Sequence, residues 1–197
     1  MTRQNRVLAT GEIVAHPARG QFMGNRGILH DAAGRITRRW AHKAWICCRL
    51  AFKDRHRQIM APHHYTELFF LDEAVALAAG HRPCAECRRA AFTAFQAAWA
   101  TATGQRPKAP EIDAALHAAR TGPRATASLA TLPDATVILW QGQPHLVLGP
   151  HLRPIAPDGY GAPLVRPPTA TVTLLTPRPI IAALAAGYRP ALHPGAA

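Results

Sequence analysis

The segment Arg82-Pro83-Cys84-Ala85-Glu86-Cys87 constrains this chain more than any other. Two thiols at C-x2-C spacing on a Pro-led turn point inward to one spot, the arrangement that grips a single metal ion, most often zinc. A structural zinc site wants four donors, so two must come from elsewhere. The other two cysteines, Cys47 and Cys48, are adjacent. Residues 45–52 (WICCRLAF) read as a strand, apolar, aromatic and β-branched. Successive strand side chains point to opposite faces, so one ion takes only one of the pair. Cys48 is assigned to the metal and Cys47 to the core, where a free cysteine behaves as a small hydrophobe. The fourth donor is left open among His30, His42, His56, His63, His64 and His81, all in the same half.

Four cysteines with two adjacent make a poor disulfide framework. No apolar leader follows Met1, and no apolar run is long enough to span a bilayer. The expectation is a cytoplasmic chain with reduced thiols, which favours metal over disulfide. At 197 residues, 48% of them hydrophobic, the chain can bury a sizeable core as one or two domains. Its formal net charge is +12, and the excess is concentrated in the N-terminal half: 16 Lys/Arg against 7 Asp/Glu over residues 1–106. Of the 23 basic residues, 20 are Arg, whose planar fork suits phosphate. This balance points to nucleic acid as a partner. The plain alternative is a codon bias that enriches Ala, Arg and Pro together.

Further along, Asp72 stands where a helix N-cap belongs, ahead of a short helix over 73–79 closed by Gly80. A second helix is expected over 88–101, with Phe92, Phe95 and Trp99 on one face, and a third over 111–120. Residues 137–140 and 145–148 around Gln141-Gly142-Gln143 read as a hairpin, and 171–175 as a strand. Lys53 to Arg57 reads as a basic hairpin tip. Ala76-Leu77-Ala78-Ala79-Gly80-His81-Arg82-Pro83 is echoed by Ala183-Leu184-Ala185-Ala186-Gly187-Tyr188-Arg189-Pro190 without the cysteines, which reads as a helix-turn device rather than a repeated metal site, with chance in an Ala-rich chain or convergence favoured over duplication.

Residues 69–87 carry an aromatic pair (Phe69, Phe70), an Ala78-Ala79-Gly80 helix end and Arg82-Pro83-Cys84-x-x-Cys87, with His81 at a further aromatic position. This pattern resembles the Ada-type zinc-binding module of the methylated-DNA repair protein and its short relatives. The resemblance runs mainly over 69–89. Gly24-Asn25 through His30 is similar to the earlier part of the short relatives, which implies His30 as the fourth ligand beside Cys48, Cys84 and Cys87. Such modules place their first two ligands close together, whereas His30 and Cys48 are far apart, so an inserted hairpin has to lie between them.

Competing chemistry is visible but thin. Pro83-Cys84-x-x-Cys87 is half of a zinc-deaminase signature, and its H-x-E half is missing. Asp113 and His117, four apart on one helix face with Glu111 nearby, suit an acid/base pair or a charged outer face. Arg35, Arg38, Arg39, Trp40, His42, Lys43 and Trp45 alternate basic and aromatic residues, which suits phosphate contact and base stacking or a solvated basic hairpin. The expectation is an α+β protein. A small treble-clef-like zinc-binding domain (1–105) precedes a short-stranded, Pro-rich C-terminal part (106–197). Nucleic acid, DNA more than RNA, would meet Arg26, Arg35, Arg38, Arg39, Arg55, Arg57, Arg88 and Arg89. An enzyme using the zinc domain as scaffold and a protein-interaction module are the alternatives.

Overall fold

The computed structural model describes residues 2–54 and 58–196. The N-terminal half forms a six-stranded mixed sheet from β1 (Gln4–Val7), β2 (Ile13–Ala15), β3 (Phe22–Asn25), β4 (Ile46–Cys48), β5 (Leu68–Phe70) and β6 (Arg82–Pro83), in the order β2-β1-β5-β3-β4-β6. The pairs β1·β5 and β4·β6 are parallel. The C-terminal half forms a second, seven-stranded sheet. It contains β7 (Thr126–Ser128), β8 (Val137–Trp140), β9 (Gln143–Leu148), β10 (His151–Ala156), β11 (Gly159–Tyr160), β12 (Leu164–Val165) and β13 (Thr171–Leu174). The described residues also form four α-helices: α1 (Glu73–Ala78), α2 (Arg89–Thr103), α3 (Ala109–Thr121) and α4 (Arg178–Ala185). Among the described residues no helix is long and apolar enough to cross a membrane.

This architecture overturns the expected small treble-clef domain with a Pro-rich tail. Two multi-stranded sheets carry the fold. The short strands of the second half, read from sequence as one hairpin and separate short strands, pair into one sheet that takes Pro144 and Pro154 within its paired strands. The hairpin between β8 and β9 shows how. Gln141 and Gly142 both take positive φ (49° and 79°), the two-residue turn whose twist matches antiparallel strands. In the first sheet Gly24 on β3 is required: a Cβ there would stand 2.2 Å from the Ile46 carbonyl oxygen.

The helix anticipated after Asp72 forms as α1. The Asp72 carboxylate accepts the Val75 N–H at 3.0 Å, and its second oxygen accepts the Tyr160 hydroxyl (2.6 Å) and the His193 N–H (3.0 Å). One N-cap thus fastens the first half to the second. Its end is a Schellman turn, with Gly80 N–H bonded to Leu77 O and His81 N–H to Ala76 O. The echoed segment closes α4 identically, Gly187 to Leu184 and Tyr188 to Ala183. The repeated octapeptide is therefore a repeated piece of structure. Both aromatic-position residues are buried, His81 fully and Tyr188 at 3% exposure.

One apolar core runs through both halves. It joins Val7, Leu68 and Phe70 of the first sheet, residues 74–78 of α1, Phe92, Phe95 and Trp99 of α2, Ile112 and Leu116 of α3, and Val137, Leu146, Ile180 and Leu184 of the second half. Inside it lies a buried ion pair. Arg88 donates both Nη groups to the Glu73 carboxylate (2.8 and 2.7 Å), which also accepts the Tyr188 hydroxyl (2.5 Å) and the Ala191 N–H (2.8 Å). All four lone-pair directions of Glu73 are directed at donors, so its charge is compensated despite full burial. Removing one partner strands the other. We expect Glu73→Gln and Arg88→Met each to cost about 3–5 kcal/mol in urea unfolding, whereas Arg89→Gln, one residue on and exposed, changes stability by less than about 0.5 kcal/mol.

Candidate metal centre

Strand alternation at β4 decides the site. Cys47 is fully buried and packs into the main core; Cys48 faces the other way into a small cluster with Cys84 and Cys87, closed by Met23, Ile46 and Phe52. The parallel pairing of β4 with β6 sets Cys47 opposite Pro83, and the Cys84 N–H donates to the Cys47 carbonyl at 2.9 Å. That bond sets Cys84 beside Cys48. The Cys84–Cys87 turn then feeds α2, with Arg88 N–H returning to Cys84 O. The three sulfurs lie within 4.8 Å of one another, and each residue is at most 8% exposed. Three buried cysteines so placed could hold a metal ion, as the sequence suggested for these three.

The charge state of the cluster follows from its hydrogen bonds. Cys84 is drawn down to about 5, chiefly because the Cys48 thiol donates to it, with backbone N–H groups of Cys87 and Glu86 adding to that against burial. Cys48 is correspondingly pushed well up, by that same bond and by burial. Burial also raises Cys87, whose sulfur accepts the Arg49 N–H at 3.4 Å. Hydrogen bonding thus favours the thiolate at Cys84, and burial the protonated thiol at Cys48 and Cys87. A cation that replaces the two protons relieves three sulfurs at once.

His30 does not join them. Its Nδ1 is 2.7 Å from the Thr66 hydroxyl and its Nε2 3.3 Å from the Ala61 carbonyl, so both nitrogens are engaged in tying the 26–30 segment to the chain before β5. It is a buried strut at 7% exposure. Of the other histidines, His56 lies outside the described residues, and His81 faces Arg26 and the Ile46 carbonyl.

The arginines divide sharply. Arg26 and Arg88, expected at phosphates, are 2% and 8% exposed and cannot reach a partner. Arg26 donates to His81 Nε2 (2.9 Å) and to Gly11 O (3.2 Å); Arg88 belongs to Glu73. Arg38, Arg39 and Arg89 are exposed, and Arg35 is exposed but paired with Asp31. Arg55 and Arg57 lie outside the described residues. Asp113 is neither acid/base partner nor surface charge: Arg82 grips it through two 2.8 Å bonds inside the core. His117 instead meets Arg120, at 3.1 Å from its Nη2.

Sequence reasoning missed the cationic box around Trp45. The guanidiniums of Arg26 and Arg120 stand 4.1 and 3.7 Å from the Trp45 ring centre, and His81 and His117 rings flank it. Burial, then mutual repulsion, lowers Arg26 to about 9; burial likewise lowers Arg120 to about 9. No motif announces this, because its members come from four separated stretches. The box also fixes a loop. Arg26 O accepts the Ala41 N–H (2.8 Å), Lys43 O accepts from Arg120 (2.6 Å), and His42 O accepts the Trp45 indole N–H (2.9 Å).

Two outcomes are expected. Calorimetric titration of the metal-free protein with a divalent ion, in buffers of different ionisation enthalpy, should give one ion per chain and release about two protons at pH 7. Cys48→Ser, Cys84→Ser or Cys87→Ser should abolish that stoichiometry, while His30→Ala and Cys47→Ala retain it. His81 is held well below its ordinary 6.5 by burial and then by the Arg26 charge. The unfolded chain therefore takes up this proton as pH falls below 6.5 while the folded chain does not, so stability declines on acidification. Ring nitrogen shifts of His81 should stay those of the neutral imidazole from pH 8 to about 5. No protein-family model matches this chain, and comparison with curated proteins and with solved structures yields no match either.

Proposed function

We propose that this is a zinc-stabilised nucleic-acid-binding protein, acting on DNA more than RNA, in repair or regulation. Zinc is the ion that best suits three thiolate donors: it accepts tetrahedral sulfur coordination at about 2.3 Å and has no redox demand of its own. Tetrahedral geometry asks for sulfurs about 3.8 Å apart, so the cluster would contract by at most about 1 Å. Cys48, Cys84 and Cys87 would hold the ion. The fourth position would fall to solvent. Its role is structural: it ties β4 to the start of α2, with a folding contribution on the order of 10 kcal/mol. All four cysteines are free thiols, which suits a reducing compartment such as the cytoplasm. The resemblance of 69–89 to the Ada-type module favours the same reading.

The observation that carries nucleic-acid binding is the loop strapped across the Trp45 box. It displays Arg38, Arg39, Trp40, His42 and Lys43 to solvent, with no acidic residue among 38–43. Trp40 is 38% exposed and lies edge-on to His117, 5.1 Å between centres. A loop presenting two guanidiniums, an indole and a lysine ammonium together suits phosphate contact with base stacking. Much of the acidic complement is turned inward instead: Glu67, Asp72, Glu73 and Asp113 are all buried. The outer surface is left strongly basic.

Fluorescence anisotropy with labelled single- and double-stranded oligonucleotides tests this. Affinity should fall linearly in log–log form with salt. Arg38→Gln and Arg39→Gln should each reduce the slope by about one, and Trp40→Ala should weaken single-strand binding by roughly 1–3 kcal/mol. Absence of binding at low salt would sink the proposal.

A further inference from the structure

A second concavity lies away from the metal and the basic loop, where the two sheets meet. Its inner part is a cavity of about 250 Å³ walled by Val7, Leu8, Leu71 and Val75 from the first half and Ile155 and Ala156 from the second. Its outer part is a wider groove of about 580 Å³ edged by Arg3, Arg6, His16, Arg19, Leu50 and Ile59. Arg6, Gly20 and Phe69 line both, so the two spaces adjoin along these residues. The backbone at this shared edge is closely packed. A Cβ on Gly20 would fall 2.1 Å from the Phe70 carbonyl oxygen, and Gln21 N–H donates to Leu71 O at 3.1 Å.

Charge and polarity separate along this cleft. Among the described residues no carboxylate lines the outer groove. Arg6 is held over the Phe69 ring, 4.7 Å to its centre, by donating Nε to the Ala18 carbonyl and Nη1 to Asn5 Oδ1 at 3.1 Å. That leaves Nη2 to donate outward. Burial and the neighbouring Arg19 charge both disfavour the Arg6 guanidinium, a condition that an anion between them would relieve. The inner cavity is walled mostly by aliphatic side chains. Glu12 is the acidic residue on its lining, and its carboxylate already accepts the Thr10 hydroxyl at 2.9 Å.

We infer that this cleft is a binding site for a small amphipathic anion, an alkanoate-type carboxylic acid whose headgroup meets Arg6 and Arg19 and whose apolar body enters the cavity between the sheets. The volume exceeds the about 150 Å³ that accommodates benzene in an engineered apolar cavity, so a body of several carbons fits. A nucleobase suits the site less well, because the aromatic face of Phe69 is covered by Arg6 and the inner walls offer aliphatic contact rather than a stacking platform. The headgroup gains from a charge-assisted pair in a partly enclosed setting, and the chain from transfer out of water.

Calorimetric titration of the full chain, metal-loaded, with octanoate tests the site, with octan-1-ol and inorganic phosphate as controls. Octanoate should bind saturably at one per chain, and each control at least tenfold more weakly. Arg6→Gln, which removes the headgroup contact, and Ala156→Trp, which fills the cleft from an exposed position, should each weaken octanoate by tenfold or more. Should Arg6→Gln fail to give native circular dichroism, the exposed Arg19→Gln carries the same expectation. Octanol binding as tightly as octanoate, an effect in only one of the two kinds of variant, or no saturable binding at millimolar octanoate would each overturn the inference. Arg38→Gln should leave octanoate binding unchanged, which separates this site from the nucleic-acid surface.

Discussion

The Glu73–Arg88 pair is the contact on which most of the architecture converges. Arg88 follows Cys87 directly and donates to the Cys47 sulfur at 3.3 Å, while its guanidinium lies 4.3 Å from the Phe22 ring centre. Glu73 opens α1 and receives two donors from the far end of the chain. A single buried carboxylate therefore joins the Cys84–Cys87 turn, the first sheet and the C-terminal segment. Placing such a pair in a core is expensive in desolvation, and it persists only where every lone pair finds a donor. What it gains in return here is register: the start of α2 cannot slide without unsatisfying Glu73, so the Cys84–Cys87 turn is held against β4.

The same economy explains the unequal distribution of charge. With so few acidic residues, the protein uses several of them as internal fasteners: Asp72 on a helix cap, Glu73 on Arg88, Asp113 on Arg82, and Glu67, which accepts the Met60 N–H at 2.7 Å. Buried Arg26 and half-buried Arg120, with no carboxylate ion pair of their own among the described residues, rest on an indole and on carbonyl oxygens instead. Guanidinium is weakly hydrated and stacks well, which makes it the cation that tolerates this treatment. The basic surface is then a consequence of how the core was built as much as of composition.

Local features were legible wherever chemistry acts over a few residues. Strand alternation separated Cys48 from Cys47, the spacing of Phe92, Phe95 and Trp99 gave the buried face of α2, and Asp72 and Gly80 bracketed α1. His30 was misread because its neighbourhood resembles a ligand-bearing segment, whereas its ring nitrogens are spent on Thr66 and Ala61. Arg26 and Arg88 look like surface cations in sequence, since nothing local reveals that a partner 55 or 15 positions away will bury them. The second sheet went unrecognised because strands of two to six residues carry little periodicity of their own, and their pairing is set by partners far along the chain.

By itself the sequence determined the three-sulfur grouping, the helix caps and the excess of positive charge, all consequences of short-range geometry or of counting. Only the tertiary structure decided which charges stay in water, which histidine serves as a strut, and where the sheets leave a cleft. Those outcomes depend on burial, and burial is a property of elements brought together over long separations rather than of any one segment.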